Sequence, residues 1–566
     1  MAIACVATAL LGAPAAGAAI TIHVTTEQDV SSGFGDMGNC RTTDQACSLR
    51  QAVAAAQNGD TVSLPAGEYD LTQNSLLIIT TNITLSGAGA RTTVIKQLES
   101  TQNVLNTGGS TDVTIQDVTI TGGHTASLSG GGGISSGGTL ILKNSAVTRN
   151  EADGSQMEFN MVTFNEPGLG GGIAESAGGS LTIVGSVISG NSAQRGAGAG
   201  AIGGGIYSLY PVTVVNSTIA GNTALGESGF GNSDGYGGGI FMGADAHAQL
   251  TLASTTVAFN TANGTSTGQG GNVYLSNSGA GVNVKNSIIA DGTADHGSEN
   301  CFGAAGQLTS QGHNLEDLNQ CAFNETGDKV STDAMLGQLT NHGGPTDTVA
   351  LLPGSPAING GNPSGCMDPL GITITVDQRG ILRPQGTRCD IGAFEFRTVK
   401  LVGLPRVSGQ PKVGSRLTCL LPAVQSADGP ATRTVSWLRN GAPVGIGRTY
   451  LVKPPDEAHA LRCRLLARNS AGSAAAISHA VTVPRVPSVS ITLAHISGHS
   501  ATFNFKTQHA TGAQCAVARG SAAPRYAACT SPKKYSGLAK GSYTFFVRAV
   551  GPGGTSSPAK HAFRVG

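Results

Sequence analysis

The chain has 566 residues, enough for several domains, and carries 34 basic and 34 acidic side chains, so its formal net charge at pH 7 is zero. A neutral chain with no basic stripe argues against nucleic acid as a partner. Charged residues are only 12% and aromatics 4%, while glycines number 83, so a stacking platform for sugars is not obvious and a glycine-dependent backbone is expected.

Residues 1–19 form a short apolar run that ends in Ala16-Gly-Ala18, and they read as a secretory signal peptide. The run is too short for a transmembrane helix and no other span qualifies. Without Cys5, ten cysteines remain in close sequential couples: Cys40 and Cys47, Cys301 and Cys321, Cys366 and Cys389, Cys419 and Cys463, Cys515 and Cys529. Ten half-cystines fit an oxidising compartment, although spacing does not fix their connectivity. C-x₂-C spacing is absent, which argues against zinc.

Cys47-Ser-Leu-Arg-Gln-Ala-Val-Ala-Ala-Ala-Gln57 is a predicted helix. Ser48 and Gln51 make a capping box, Leu49, Ala52, Val53 and Ala56 make one apolar face, and Asn58-Gly59 ends it. Such a helix covers the open end of a solenoid. Strands are expected at 60–64, 68–71, 83–85 and 113–120.

A Gly-Gly-Gly-Ile element then recurs, ending at Ile134, Ile173, Ile206 and Ile240, with a worn copy ending at Val273. The steps are 39, 33, 34 and 33 residues, the mark of a repeat architecture. After each copy comes a β-branched alternating run, as in Val212-Thr-Val-Val-Asn-Ser-Thr-Ile219. One copy cannot bury its own apolar face, so copies must stack. The expected architecture is all-β: a right-handed parallel β-helix with two clear strands per copy. Asn144, Asn216 and Asn286, each before Ser, are expected to stack as a buried ladder at one corner. Collagen, a calcium-loaded β-roll and a propeller do not fit the pattern.

Cys47-Ser-Leu-Arg-Gln-Ala-Val53 resembles the Cys-Ser-Leu-Arg-Glu-Ala-Ile (CSLREA) motif of a group of exported bacterial β-helix proteins, departing at Gln51 where that group favours Glu. Gly59-Asp-Thr-Val-Ser-Leu-Pro-Ala-Gly-Glu-Tyr69 continues the match. Leu336-Gly-Gln-Leu339, Gly343-Gly-Pro-Thr346, Asp377-Gln-Arg-Gly380, Arg383-Pro384 and Cys389-Asp-Ile-Gly-Ala-Phe-Glu395 resemble the closing module called choice-of-anchor Q. The resemblance covers residues 20–396. It implies a secreted or surface protein and carries no catalytic residues across. In the closing motif, Asp377, Arg379, Arg383 and Asp390 are expected to form a buried Arg–Asp lock at the C-terminal cap.

Residues 398–484 resemble a bacterial immunoglobulin-like sandwich through Cys419, Trp437 and Cys463. Residues 487–566 resemble a second, fibronectin-like sandwich.

The pectin-lyase-like fold hosts polysaccharide lyases and hydrolases, so acid, base and metal candidates were sought. Arg149, Glu151 and Asp153 are adjacent, with Glu158 and Glu166 in the loop that follows, and are the candidate catalytic group. Asp291, Asp295 and Glu299, with His296, are the candidate metal group. Asp117 is a further strand candidate for a groove. The expected function is a secreted or cell-surface protein, monomeric, structural and adhesive, with extracellular polysaccharide, a cell wall or a host or neighbouring surface as partner and no cofactor. The alternative is a polysaccharide lyase or glycoside hydrolase, with Ca²⁺ entering only in the lyase case.

Overall fold

Alternation places Val212 and Val214 inward, with no exposed surface, and Thr213 and Val215 outward. Repeating that rung once per coil stacks the strands in parallel. In the computed structural model, sheet I has ten such strands, from Thr21–His23 to Leu308–Ser310. Sheet II has nine, from Gly67–Leu71 to Leu315–Glu316. Sheet III has six, from His124–Thr125 to Thr293–Ala294, and sheet IV eight, from Leu77–Ile79 to Cys301–Phe302. Stacks of parallel strands around one apolar interior make a parallel β-helix. The structure describes residues 18–566 except 32–38, 42–45, 127–129, 155, 160–161, 195–199, 227–233, 244–247, 266, 277–279, 304–305 and 369, with backbone alone at 156–159 and 162–165. Most of the predicted signal peptide, and the Glu158 side chain, therefore lie outside the described residues. The chain divides into two units, Met1–Arg397 and Thr398–Gly566.

Ile134, Ile173, Ile206, Ile240 and Val273 sit directly above one another in sheet IV, so each 33–39-residue step is one coil. The two expected strands per copy belong to sheets I and II. Sheet III and a short four-stranded sheet V use rungs of two or three residues, such as Thr223–Leu225 and Gly235–Tyr236, too short to display alternation.

The buried asparagine ladder lies one corner beyond its expected place. Asn144, Asn216 and Asn286 instead turn the chain from sheet I to sheet II in the left-handed conformation, at φ of 46°, 53° and 50°. Asn144 is exposed there. Asp117, expected on a strand, holds the same corner at φ 59°. The ladder is Asn150, Asn191, Asn222, Asn260, Asn272 and Asn300. Each of the first five passes a side-chain N–H to the next side-chain carbonyl at 2.9–3.0 Å, and Asn300 passes one to Asp317 at 2.6 Å. Their other amide hydrogens go to the main-chain carbonyls of Ile120, Val147, Ile188, Ile219 and Ala290.

This ladder contributes to the need for the third glycine of each triplet, while the first glycine takes a positive φ, as Gly170 does at 61°. A Cβ on Gly172, the third of its triplet, would lie 2.9 Å from the Asn191 amide, and one on Gly239 2.9 Å from that of Asn260. In the worn copy Asn272 replaces the third glycine and enters the ladder itself, and Gly292 supplies the space opposite.

The N-terminal helix spans Leu49–Ala55 with both capping-box bonds between Ser48 and Gln51, and ends at Ala56, before Asn58. Leu49, Ala52 and Val53 are buried against the first coils. Arg50 reaches back to Asp29 and to the carbonyls of Ser75 and Leu76.

The closing segment is not an end cap. It runs back along the outer face of sheet II as a strap. Asn286 donates to the carbonyl of Asp390, Thr256 accepts from Ala393, Thr218 donates to Gln378, and Thr346 donates to Gly185. Arg91 reaches the hairpin of Leu336–Thr340 and Thr348–Leu351 through Gly344 and Asp347. The arginine lock is buried, with one exchange of partner. Arg379 pairs with Asp377 at 2.7 Å, and Arg383 with Glu395 at 3.1 Å rather than with Asp390. Asp390 offers Arg383 its main-chain carbonyl, while its carboxylate accepts the N–H groups of Asn359 and Phe396.

Five disulfides join Cys40–Cys47, Cys301–Cys321, Cys366–Cys389, Cys419–Cys463 and Cys515–Cys529. In the second unit two antiparallel sandwiches follow. The first packs Leu417, Val435, Leu465 and the Cys419–Cys463 bridge around Trp437, on which Tyr450 stacks at 5.5 Å. The second is centred on Phe503 and Phe545, stacked at 4.0 Å.

Asn222→Ala removes four ladder hydrogen bonds and orphans buried groups on both sides, so it is expected to cost about 2–4 kcal/mol. Asn144→Gly, at a corner where Gly185 stands one coil on, is expected to stay within about 0.5 kcal/mol. Unfolding midpoints in denaturant compare the two; the opposite order would place the stabilising ladder at the sheet I–II corner.

Candidate functional site

Asn150 turns inward between sheets II and III, and the three-residue rung Glu151–Asp153 follows it. Ala152 points in and is buried, so Glu151 and Asp153 point out on one face. The parallel register sets His124 beside Glu151 and Thr125 beside Ala152. The Gly123 N–H donates to the Asn150 side chain and the Glu151 N–H to the Gly123 carbonyl, which fixes that register. His124 Nε2 meets Asp153 Oδ2 at 2.7 Å. Donor atoms of His124, Glu151 and Asp153 all lie within 4.8 Å of one another, the one such His/Cys/Asp/Glu group among the described residues. Burial and then the Asp153 charge raise the Glu151 pKa, while His124 opposes them.

Arg149 does not join this cluster. It occupies the corner at φ 53° and is exposed. It lines a groove of about 550 Å³ between sheet II and the strap, whose other walls include Thr119, Thr148, Ser189, Arg91 and Asp347. Arg91 is paired with Asp347. From the third coil onward most outward residues of sheet II are small, whereas the first two coils carry Glu68, Asp70 and Lys96 there. The strap covers Thr218 and Thr256, and leaves the groove over the earlier coils as far as Ala220.

The Asp291 group is not brought together. Asp295 accepts from the Gly264 N–H and Glu299 from Gln320. Asp291 stands at the sheet II–III corner at φ 51°, its pKa raised by burial and by the charges of Asp317 and Asp333. Glu166 is half-buried outside both the cluster and the groove.

Sequence reasoning missed His124, the groove and Glu175. Aligning Thr121-Gly-Gly-His124 with Thr148-Arg-Asn-Glu151 would have placed His124 one coil below Glu151. Glu175 lies fully buried in the core column of Thr107, Ser136 and Ser208, and the neighbouring Ser136 hydroxyl compensates its carboxylate only weakly. Burial raises its pKa to about 8, against an opposing pull from the Ser136 hydroxyl.

The tyrosines and phenylalanines of sheet IV stack on one another. Tyr207, Phe241, Tyr274 and Phe302 are spaced 5.6, 5.1 and 4.8 Å with nearly parallel rings. The faces of Phe241 and Tyr274 are occupied on both sides, so the column holds the coils together and offers no platform along its length to a sugar ring.

No family model matches the chain, and no curated protein matches it. Among solved structures, pectate lyase Pel9A is similar over 66% of this chain and 96% of its own, at 16% identity and a TM-score of 0.27. A two-domain fibronectin type III segment of chicken tenascin matches over its whole length and 29% of this chain, at 13% identity and a TM-score of 0.17. Three N-terminal domains of the outer capsid protein Hoc of bacteriophage RB49 match over 59% of their length and 29% of this chain, at 12% identity and a TM-score of 0.18. At these scores the likeness adds nothing to the sheet pattern, which itself defines the fold.

Glu175 has a pH signature. Its folded pKa lies above the ordinary 4.5, so unfolded chains release a proton that the native state keeps. The native state is therefore favoured below about pH 4.5 and loses roughly 1.4 kcal/mol per pH unit as the pH climbs toward 8. Asp390, raised to about 8 by burial and Glu395, acts with the same sign. Glu175→Gln is expected to remove one proton's share of that slope. Denaturation midpoints of wild type and variant between pH 5 and 8 check it; parallel profiles would show that Glu175 is ionised in the folded protein.

Proposed function

We propose that this is a secreted or cell-surface protein whose β-helix has a structural and adhesive role, holding extracellular polysaccharide without cutting it. The observation that carries this reading is the groove beneath the strap. Its floor carries the hydroxyls of Thr148 and Ser189, with that of Thr119 donated to the Ala90 carbonyl, and its lip carries Arg149, which makes no ion pair among the described residues. Hydroxyls and one unpaired guanidinium suit a sugar chain bearing carboxylate or sulfate. Five disulfides support an extracellular setting, and among the described residues no helix is long and apolar enough to cross a membrane. In this reading the chain is an exported bacterial β-helix protein of the CSLREA type. The strap is its choice-of-anchor Q module. The two sandwiches are immunoglobulin-like and fibronectin-like spacers or docking modules.

A second reading, a polysaccharide lyase or hydrolase, is favoured by the Glu151–Asp153 carboxylate pair beside His124. Carboxyl groups that act across a glycosidic bond stand about 5–5.5 or 6.5–9.5 Å apart. The Glu151 and Asp153 donor atoms lie within 4.8 Å and do not line the groove.

The full chain is to be tested on a glycan array and in a polysaccharide-degradation screen, with and without Ca²⁺. Retention of an acidic polysaccharide is expected, weakened about tenfold by Arg149→Ala, or ~1.4 kcal/mol, with no product released. Release of unsaturated or reducing sugars that disappears in Arg149→Ala or Asp153→Ala would overturn the binding reading in favour of the enzyme.

A further inference from the structure

We propose that His124, Glu151 and Asp153 bind one divalent transition cation of the zinc class, clamped across the first two rungs of sheet III. His124 and Glu151 face each other across one strand spacing, about 4.8 Å. Asp153 is two residues along from Glu151 and so shares its outward face. A tetrahedral cation held at about 2.0–2.1 Å needs its donors about 3.3 Å apart. The cluster is compact enough for this, with 2.7 Å between His124 Nε2 and Asp153 Oδ2 and all three donor atoms within 4.8 Å of one another. Small side-chain rotations on an outer sheet face are enough to admit the ion.

A second observation comes from hydrogen bonding. The Asp153 Oδ1 atom is covered and no N–H or hydroxyl donates to it, although 32% of the side chain is exposed and Oδ2 meets His124. Among the described residues no lysine or arginine is ion-paired with Glu151 or Asp153. An enclosed carboxylate oxygen without a donor is costly, and a cation supplies what is missing. The donor set decides the class. Calcium takes six to eight oxygens, whereas one imidazole with two carboxylates suits zinc and its neighbours and leaves a fourth position open. The next rungs carry Ser192 and Gln194, then Thr223 and Leu225, in the places of Glu151 and Asp153, so the donor set belongs to this pair of rungs alone. The lack of C-x₂-C spacing bears on thiolate zinc sites and not on a histidine–carboxylate set. Held there, the ion would tie the first strand of sheet III, with its two paired residues, to the strand above.

The test is calorimetric titration of the metal-free full chain with Zn²⁺, beside Co²⁺ absorption spectra and Ca²⁺ as a contrast. One equivalent of Zn²⁺ is expected to bind, with the strong visible bands of four-coordinate Co²⁺ and a raised unfolding midpoint. His124→Gln and Asp153→Asn are each expected to weaken binding at least ~10-fold and to abolish the midpoint shift, since even second-shell losses cost roughly 10–100-fold. His296→Gln is expected to change nothing. Absence of one-equivalent binding, a six-coordinate cobalt spectrum, equal affinity for Ca²⁺, or binding that survives both substitutions would overturn the proposal. The wild-type stoichiometry and spectrum are read without any substitution, so the outcome does not hang on the folding of a variant.

Discussion

Everything in the first unit depends on keeping each coil in register with the next. A slip of one residue would turn every inward side chain outward. Apolar stacking alone resists this weakly, because Val, Ile and Leu columns are interchangeable along the axis. Two buried polar columns are not. At the sheet II–III corner, six asparagines hand hydrogen bonds from coil to coil. At the sheet I–II corner, the main-chain N–H groups of Val118, Ser145 and Ser186 meet the hydroxyls of Ser145, Ser186 and Ser217. A buried polar group out of register loses its partner and gains no water, so these columns fix what the apolar ones leave free. The His124 cluster inherits its geometry from the same bonds.

The strap follows from a second constraint on size. Threonine, serine and alanine on the outer face of sheet II let another layer of chain lie close. Where the strap descends, those residues are sealed; where it lifts away over the earlier coils, they become the floor of a groove. One patterning rule thus yields both the closure and the candidate binding surface. The strap is held by ion pairs with almost no exposed side-chain surface, Arg379–Asp377 and Arg383–Glu395. Buried ion pairs contribute little net stability relative to apolar packing. Their directional bonds to the carbonyls of Asp390, Gly392 and Glu395 fix the shape of the strap itself, while single bonds from Gln378, Asp390, Ala393 and Thr346 to the coils seat it.

The repeat period, the parallel stacking, the capping helix and the lock residues were legible in the chain because each leaves a local mark: a fixed spacing, an alternation, a capping box, a cluster of Arg and Asp. The ladder was misplaced because two corners per coil both carry asparagine. Asn144-Ser145 and Asn150 differ only in which residue takes the left-handed turn, and that is decided by the stacked coils and not by local sequence. The Asn272-for-glycine exchange shows the point, since the worn triplet is intelligible only beside Gly292. His124 was invisible for the same reason, being 27 residues from its partner. The path of the strap along sheet II leaves no periodic signal, because its contacts are single hydrogen bonds to distant coils.

Arg149, Glu151 and Asp153 are neighbours in sequence, yet the corner separates their work. Asn150 turns into the core between them, leaving Arg149 on the left-handed bend at the lip of the groove and the carboxylates on the next sheet. A general acid and base must reach the same reacting atoms within hydrogen-bond distance. A guanidinium facing one surface and a carboxylate pair facing another do not meet that condition. Three closely spaced charged residues that would pass for half of an active site on a flat strand become, on a bent coil, a groove cation and part of a separate three-residue cluster. The geometry of the bend, more than the identity of the residues, is what favours the proposed binding role over the catalytic alternative.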